Sequence, residues 1–223
     1  MNGGGVVNAV LNVVPVWLRR LTRHEFLLML SVLRWIARRP PHGVGPGDTA
    51  VPYAAAQTAI MLIMTFVSVL ETVVLAILIP WPLVHAILLG VGIWGIFFGV
   101  ALHCSCVVRP HVVGADGSLR LRYGALIDIR VPAERVAAVR LDRRYPGMGK
   151  LVTSENGTVD LLIAGETNLT AELTEPVMFI RPLGKRASAS ALRFRADDPD
   201  AVLAALADRP GLGGTSLGGT SQR

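Results

Sequence analysis

The feature that most constrains the fold is a long stretch almost without charge. Between Arg39 and Arg109 lie 69 residues with only two charged side chains. The stretch contains two apolar runs, Tyr53–Ile79 and Leu83–Val108, of 27 and 26 residues, separated by Pro80-Trp81-Pro82. Each run exceeds the roughly 20 residues that cross a bilayer core as a helix. Because the prolines interrupt helical geometry and the connection is short, the sequence predicts an antiparallel transmembrane helical hairpin over residues 53–108.

The composition of the whole chain is set by this hairpin. Of the 223 residues, 52% are hydrophobic and 17% are charged, and the net charge is +6. A disordered chain has few apolar residues and high net charge, so disorder is excluded for the chain as a whole. The two cysteines, Cys104 and Cys106, are too close in sequence to join distant segments, which excludes a disulfide-rich scaffold.

Basic residues orient the hairpin. The turn around Trp81 contains no lysine or arginine, and Trp81 has the amphipathic ring preferred at a bilayer interface. Arginines stand instead at the other end of both helices: Arg19, Arg20, Arg23, Arg34, Arg38 and Arg39 before the first, and Arg109, Arg120 and Arg122 after the second. The positive-inside rule then predicts a multi-pass protein of the cytoplasmic (inner) membrane with both termini in the cytoplasm. We expect no secretory signal peptide, since residues 1–18 have no cationic start.

Residues 1–52 form a basic N-terminal arm and a linker. Residues 16–39 are predicted to form one or two helices, followed by a Pro- and Gly-rich linker over residues 40–52. Four arginines lie on one side of such a helix: Arg19, Arg23, Arg34 and Arg38. We expect this arm to lie in the headgroup layer, attracted by anionic lipid headgroups. The alternatives are a helix packed on the protein's own membrane domain and a partner-binding arm.

Over residues 109–209 apolar and polar residues alternate with a period of two. This pattern is typical of half-buried antiparallel strands. In Leu119–Arg122 and Ile127–Val131, for example, apolar residues alternate with charged ones, and turn residues separate the strands at short intervals. Asn156-Gly157 predicts a tight hairpin. A final helix is expected from Asp198-Pro199 to about Asp208, capped by Asp197 or Asp198. The fold class is therefore α+β: a transmembrane hairpin followed by a small antiparallel β barrel or sandwich with a C-terminal helix. Residues 210–223 are predicted to be a disordered tail.

The opening of this β domain resembles bacterial pleckstrin-homology-like (PH-like) domains. The resemblance rests on Val112-Val113, Asp116–Gly124, Ile127–Pro132 and Val136–Val139, and the later Thr167–Leu169, Glu175–Val177 and Phe194–Pro199 are similar to the closing strands and helix start of the same group. Such domains are often attached to two membrane helices in uncharacterised actinobacterial proteins. The resemblance covers residues 53–209 and implies a fold and a membrane location, not an activity.

Two ionisable residues within the hairpin are candidate sites. Glu71 lies eight residues before Ile79, about 12 Å of helix from the outer end of the first run. A charge at that depth costs a few kcal/mol, and such residues usually pair, protonate or face a bundle interior. Glu71 could therefore serve a proton pathway, specify assembly, or join the two helices of the hairpin. His85 lies near the outer end of the second helix, at a depth that makes direct pairing with Glu71 unfavourable.

Other motifs predict packing and surface contact. Gly92, Gly95 and Gly99 recur at helical spacing and would allow close helix packing. We read His103-Cys104-Ser105-Cys106 as structural, because adjacent helical positions point apart and the usual Cys-x2-Cys metal spacing is missing.

A basic loop is the best local candidate for contact with lipid headgroups or a partner. It contains Arg143, Arg144 and Lys150. Asp128 and Asp142 interleave with arginines along the strands, so we expect cross-strand ion pairs rather than nucleic-acid binding.

These features predict a membrane protein that displays a cytoplasmic PH-like interaction or assembly module. Its partners would be the bilayer and a protein partner or a second copy. No catalytic constellation, cofactor motif or metal-ligand spacing stands out, and we expect no enzyme. The alternative is an accessory subunit of a transport or proton-coupled membrane complex that uses Glu71.

Overall fold

The computed structural model describes residues 16–147, 152–155, 157–182 and 184–207, without the side chains of residues 16–20 and 152–155. It contains four α-helices: α1 (Val16–Ile36), α2 (Ala55–Leu78), α3 (Pro82–Val108) and α4 (Pro199–Ala207). The nine strands are β1 (Thr49–Val51), β2 (His111–Val113), β3 (Leu119–Tyr123), β4 (Ile127–Val131), β5 (Val136–Arg144), β6 (Val152–Glu155), β7 (Thr158–Leu161), β8 (Thr167–Ile180) and β9 (Arg186–Phe194). The molecule is thus an α+β protein with two long apolar helices, as the sequence predicts.

Helices α2 and α3 form the predicted antiparallel hairpin. Both are long and apolar enough to cross a membrane, with mean hydropathies of 2.5 and 2.2, and the most hydrophobic 18-residue window of each has no buried residue. The half-buried residues of α2 that face α3 include Thr65, Ser68 and Thr72. Opposite Thr72 lies Gly92, where a Cβ atom would approach the threonine Oγ1 to 2.5 Å. Of the three glycines singled out in the sequence, Gly92 is therefore the one that permits close helix packing.

We expect Gly92→Ala to destabilise the hairpin by about 1 kcal/mol, because the added methyl group crowds the Thr72 side chain. Gly95→Ala is the matched control, since a Cβ atom there has nothing within 4 Å. Both substitutions raise the helix propensity by the same amount. The difference in stability between the two variants therefore reports the contact of the added methyl group with Thr72. Thermal unfolding in detergent measures it, and equal melting temperatures for the two variants would contradict the packing described here.

Helix α1 packs on the protein itself. Its buried face includes Leu28 and Ser31, and Ser31 Oγ lies 3.4 Å from Ser105 Oγ near the C-terminal end of α3. His24 Nε2 lies 3.3 Å from the Pro182 carbonyl oxygen of the β domain. The helix ends at Ile36, earlier than the predicted residue 39. Of the alternatives considered for the N-terminal arm, one face of α1 therefore packs on the protein's own hairpin.

The β domain consists of two sheets around one core. The first has the strand order β1-β2-β3-β4 and the second the order β5-β8-β9-β7-β6. Leu121 and Ile129 of the first sheet share a hydrophobic core with Leu169 and Leu192 of the second, and α4 adds Val202. Of the two expected forms, a barrel or a sandwich, a closed barrel is not formed by the described residues, because β4 and β5 are joined through a 3-10 turn and are not hydrogen-bonded to each other. The all-antiparallel prediction is also wrong at one place, since β7 pairs with β9 in parallel.

The linker contributes a strand that the sequence reading missed. Strand β1 lies in the segment predicted as linker, and it pairs antiparallel with β2, with Val51 opposite His111. The hairpin is therefore inserted between two neighbouring strands of one sheet. The boundary placed at residue 109 does not separate the β domain from the preceding chain.

Several local predictions are confirmed. Strands β6 and β7 flank Asn156-Gly157 and pair from Glu155↔Thr158 onward. The Asp198 carboxylate accepts a hydrogen bond from the Ala201 amide at 3.0 Å, as expected for the start of α4. Strand β8 has a register irregularity between Glu172 and Val177 in its pairing with β9. The predicted tail, residues 210–223, lies outside the described residues.

Candidate functional site: the junction between hairpin and β domain

Tyr53 anchors the start of the hairpin in the β domain. Its side chain is fully buried, and its hydroxyl accepts a hydrogen bond from the Gly124 amide at 2.8 Å. Together with Cys106 and Ile163 it forms a small hydrophobic cluster apart from the main core. Burial raises the pKa of Tyr53 well above its ordinary value, so the hydroxyl stays protonated. The tyrosine therefore fixes the entry into α2 against the turn after β3.

His111 stacks on Tyr53 and links three parts of the chain. The two rings are 4.3 Å apart between centroids and nearly parallel, at 22°. His111 Nδ1 accepts a hydrogen bond from the Arg122 amide at 2.9 Å, which leaves the proton on Nε2, 3.1 Å from the Arg195 carbonyl oxygen. Burial lowers the pKa of His111 to about 3. The imidazole is therefore neutral and acts as a fixed donor and acceptor.

Arg122 is the buried cation of the junction. Only 2% of its side chain is exposed, although the alternating pattern of β3 places it on the polar face. One terminal nitrogen donates to the His42 carbonyl at 2.6 Å and to that of Pro110 at 3.3 Å, and the other donates to Gly43 at 3.2 Å. Burial lowers the pKa of Arg122 to about 10, so it remains charged at neutral pH. This guanidinium holds the linker before β1 against the segment that follows α3.

Asp128 supplies the opposite charge at the edge of this cluster. Its carboxylate lies 2.5 Å from Arg120, 3.8 Å from Arg122 and 3.9 Å from Arg130. Partial burial opposes its ionisation, but the hydrogen bond from Arg120 and the three positive charges lower the pKa of Asp128 below its usual range. The carboxylate is therefore ionised and neutralises part of the arginine charge. Arg140–Glu172 at 2.9 Å and Arg193–Asp160 at 3.2 Å are further cross-strand pairs. The expected cross-strand ion pair is formed at Asp128, whereas Asp142 pairs with Arg144 of its own strand.

The junction is a buried, hydrogen-bonded connection between the linker, the end of the hairpin and the β domain. Its ionisable groups are held in one protonation state, and their polar atoms are engaged with backbone groups of both parts of the chain. The described residues contain no group of three or more His, Cys, Asp or Glu side chains that could hold a metal ion. Cys104 and Cys106 are free and buried in the packing of α3. What this arrangement can do is fix the orientation of the β domain relative to the hairpin.

The predicted basic loop borders a polar cavity beside the hairpin. This cavity has a volume of about 290 Å³ and is lined by Arg143, Tyr145, Glu166, Arg195 and Asp197, among others. The lining residue Asp197 connects the cavity to the first turn of α2. Its carboxylate accepts a hydrogen bond from the Ala55 amide at 3.1 Å.

Charges around the cavity are partly paired. Arg195 forms an ion pair with Glu166, whereas Arg143 is exposed. Arg144 is paired with Asp142 at 3.1 Å, and Lys150 lies outside the described residues. Of the three predicted contact residues in this loop, Arg143 is the one whose described side chain lines the cavity.

The arginines of the N-terminal arm differ in their surroundings. Arg23 is exposed on α1, and Arg38 is exposed beyond the helix end in a left-handed backbone conformation, φ 47°. Arg34 is instead half-buried and donates a hydrogen bond to the Pro40 carbonyl at 3.0 Å. The side chain of Arg19 lies outside the described residues. Arg38 thus lies outside the helix on which the shared face was predicted, whereas Arg23 and Arg34, eleven residues apart, remain on one side of it.

The two candidate residues of the hairpin differ in exposure. Glu71 is exposed on α2, and His85 is half-buried near the start of α3. Thr72, the next residue along, is the one that contacts α3, so Glu71 is turned about 100° away from the neighbouring helix. The interpretation of Glu71 as a link between α2 and α3 is wrong for this reason.

None of the family models, curated proteins or solved structures compared with the chain matches it.

Proposed function

We propose that this protein is a two-pass membrane protein that displays a PH-like β domain at the cytoplasmic face as an interaction or assembly module. The hairpin α2–α3 anchors it, and the buried junction around Arg122 holds the β domain in one orientation. Partner proteins bind through exposed loops or edge strands of the β domain.

The observation that carries the proposal is the contrast between the hairpin and the β domain. Large apolar side chains of α2 and α3 are exposed along both helices, for example Phe66 at 68%, Ile77 at 78% and Leu83 at 73%. The β domain has its own core and does not cover them. Soluble monomers rarely expose apolar patches above a few hundred Å², so a surface of this extent is suited to lipid.

Helix α1 supports the membrane location independently. Its face opposite the buried one carries Phe26, Met29, Leu30 and Leu33, which are 61%, 53%, 37% and 61% exposed. These residues follow the i, i+3, i+4, i+7 spacing of an apolar helical stripe. A helix that packs on α3 through one face and offers a second apolar face outward is suited to the headgroup boundary of the same membrane. The exposed Arg23 and Arg143 then meet anionic lipid headgroups.

Membrane extraction and cysteine labelling test this proposal. We expect the protein to remain in the membrane pellet after alkaline carbonate treatment. A cysteine placed after Gly211 should react with a membrane-impermeant maleimide only after cells are permeabilised, whereas Trp81→Cys, between the two helices, should react in intact cells. Release by carbonate, or the reverse labelling pattern, would contradict the proposal.

A second candidate function is an accessory subunit of a transport or proton-coupled complex. The outward orientation of Glu71 favours it, because the carboxyl is presented to helices of another chain. Glu71→Gln removes the ionisable group and keeps the size of the side chain. Loss of a transport phenotype with unchanged assembly and partner capture would favour this second function over the display of a β domain.

A further inference from the structure

Glu71 lies in the C-terminal half of α2, on a surface that no described residue covers. Its side chain is exposed, and within the described residues it forms no hydrogen bond or ion pair. Neither α2 nor α3 contains a lysine or arginine, so the hairpin holds no countercharge. A carboxyl in this position costs a few kcal/mol in a bilayer unless it is paired or protonated and hydrogen-bonded.

The residues around Glu71 form a regular stripe along α2. Five other members share its side of the helix at alternating spacings of four and three residues: Ile60, Met64, Val67, Val74 and Leu78. All of them are exposed, from 36% at Ile60 to 69% at Leu78. This spacing is that of a seam in a left-handed helix pair. We call these six residues the Glu71 stripe.

A second copy of the Glu71 stripe can supply the hydrogen-bond partner that the Glu71 carboxyl lacks. A protonated carboxyl offers one donor and one acceptor, and an identical group facing it completes two hydrogen bonds. In a twofold dimer with parallel α2 helices, a residue near the axis meets its own copy. A single polar position in an otherwise apolar seam also fixes the register of the two helices.

We propose that two copies of this chain pair through α2, with their Glu71 stripes in contact and their Glu71 carboxyl groups hydrogen-bonded to each other across the twofold axis. The inference rests on the proposed function in one respect, which is that α2 lies in a membrane. It adds the identity of the partner and the helix face that binds it.

Disulfide crosslinking in native membranes tests the interface with a matched pair of cysteines. Val67 belongs to the stripe and is 45% exposed, whereas Val69 is 42% exposed and lies on the opposite side of α2. We expect Val67→Cys to give a crosslinked dimer in several-fold higher yield than Val69→Cys. The wild-type chain, whose two cysteines are buried, sets the background.

Substitution of Glu71 tests the role of its carboxyl. Glu71→Gln keeps a donor and an acceptor, so we expect the dimer to persist. Glu71→Ala removes both and should weaken association about tenfold. Energy transfer between labelled copies, measured against the detergent-to-protein ratio, reports the equilibrium.

The outcomes separate this inference from the proposed function. Equal crosslinking of the two cysteine variants, crosslinking of Val67→Cys to a different protein, or unchanged association of Glu71→Ala would overturn the dimer. Carbonate extraction of the same membranes tests the membrane location by itself. A chain that stays in the membrane without pairing through Val67 refutes the dimer alone.

Discussion

Replacing Arg122 with methionine is expected to lower the free energy of unfolding by about 3 kcal/mol or more. The substitution keeps most of the volume but removes the donors that serve the carbonyl groups of His42, Gly43 and Pro110. Buried acceptors without partners carry their full desolvation cost. Thermal unfolding in detergent measures the loss, and proteolysis between residues 39 and 47 should accelerate because the linker is released.

Arg130→Met is the matched control for this substitution. Arg130 lies on the neighbouring strand, 3.9 Å from Asp128, with 72% of its side chain exposed. An exposed pair of this kind is worth about 0 to 1 kcal/mol, so the control should unfold nearly as wild type does. Similar stability of the two variants would mean that Arg122 does not hold the linker.

Acidification is expected to destabilise the protein through His111. Burial lowers the pKa of His111 to about 3 in the folded state, below the unfolded value of about 6.5. The unfolded chain therefore binds the proton more tightly, and the stability contributed by the neutral ring is complete above pH 6.5 and is lost as the pH falls towards 3. Between pH 7 and pH 5 the expected loss is about 2 kcal/mol.

The His111→Gln variant isolates this effect from other titrations. It removes the titrating ring while keeping a polar side chain, so its baseline stability is lower, but its stability should fall less steeply between pH 7 and pH 5. Denaturant unfolding at several pH values gives both slopes. Parallel pH profiles for the wild type and the variant would show that the imidazole titrates normally in the folded state.

The parts of the fold that sequence predicted are those with strong local signals. The hairpin follows from run length and from Pro80 and Pro82, and the β6–β7 turn follows from Asn156-Gly157. The alternation of apolar and polar residues identified most strands, but it did not predict which residues of a strand lie on the buried face of the sheet. In β5, Asp142 is half-buried, and its carboxylate accepts a hydrogen bond from the Thr170 hydroxyl. Its neighbour Leu141 is instead 48% exposed, next to a register shift in the pairing of β5 with β8.

The junction itself could not be predicted from the sequence. Arg122 belongs to an alternating strand, and its burial depends on carbonyl groups brought to it from His42 and Gly43, about 80 residues earlier in the chain. Strand β1 is three residues long and follows a Pro- and Gly-rich segment, so no periodicity marks it. Such features arise from long-range pairing, which local patterns do not encode.

The insertion of the hairpin between β1 and β2 determines the order in which the protein can be made. During synthesis β1 leaves the ribosome first, and both apolar helices must follow before its partner β2 is available. The first sheet therefore cannot close until both helices of the hairpin have been synthesised. The same topology allows the chain to be shortened: since Val51 and His111 are direct partners, a tight turn in place of residues 52–110 would join β1 to β2. That excision would remove both long apolar helices and leave the strand order of the first sheet unchanged.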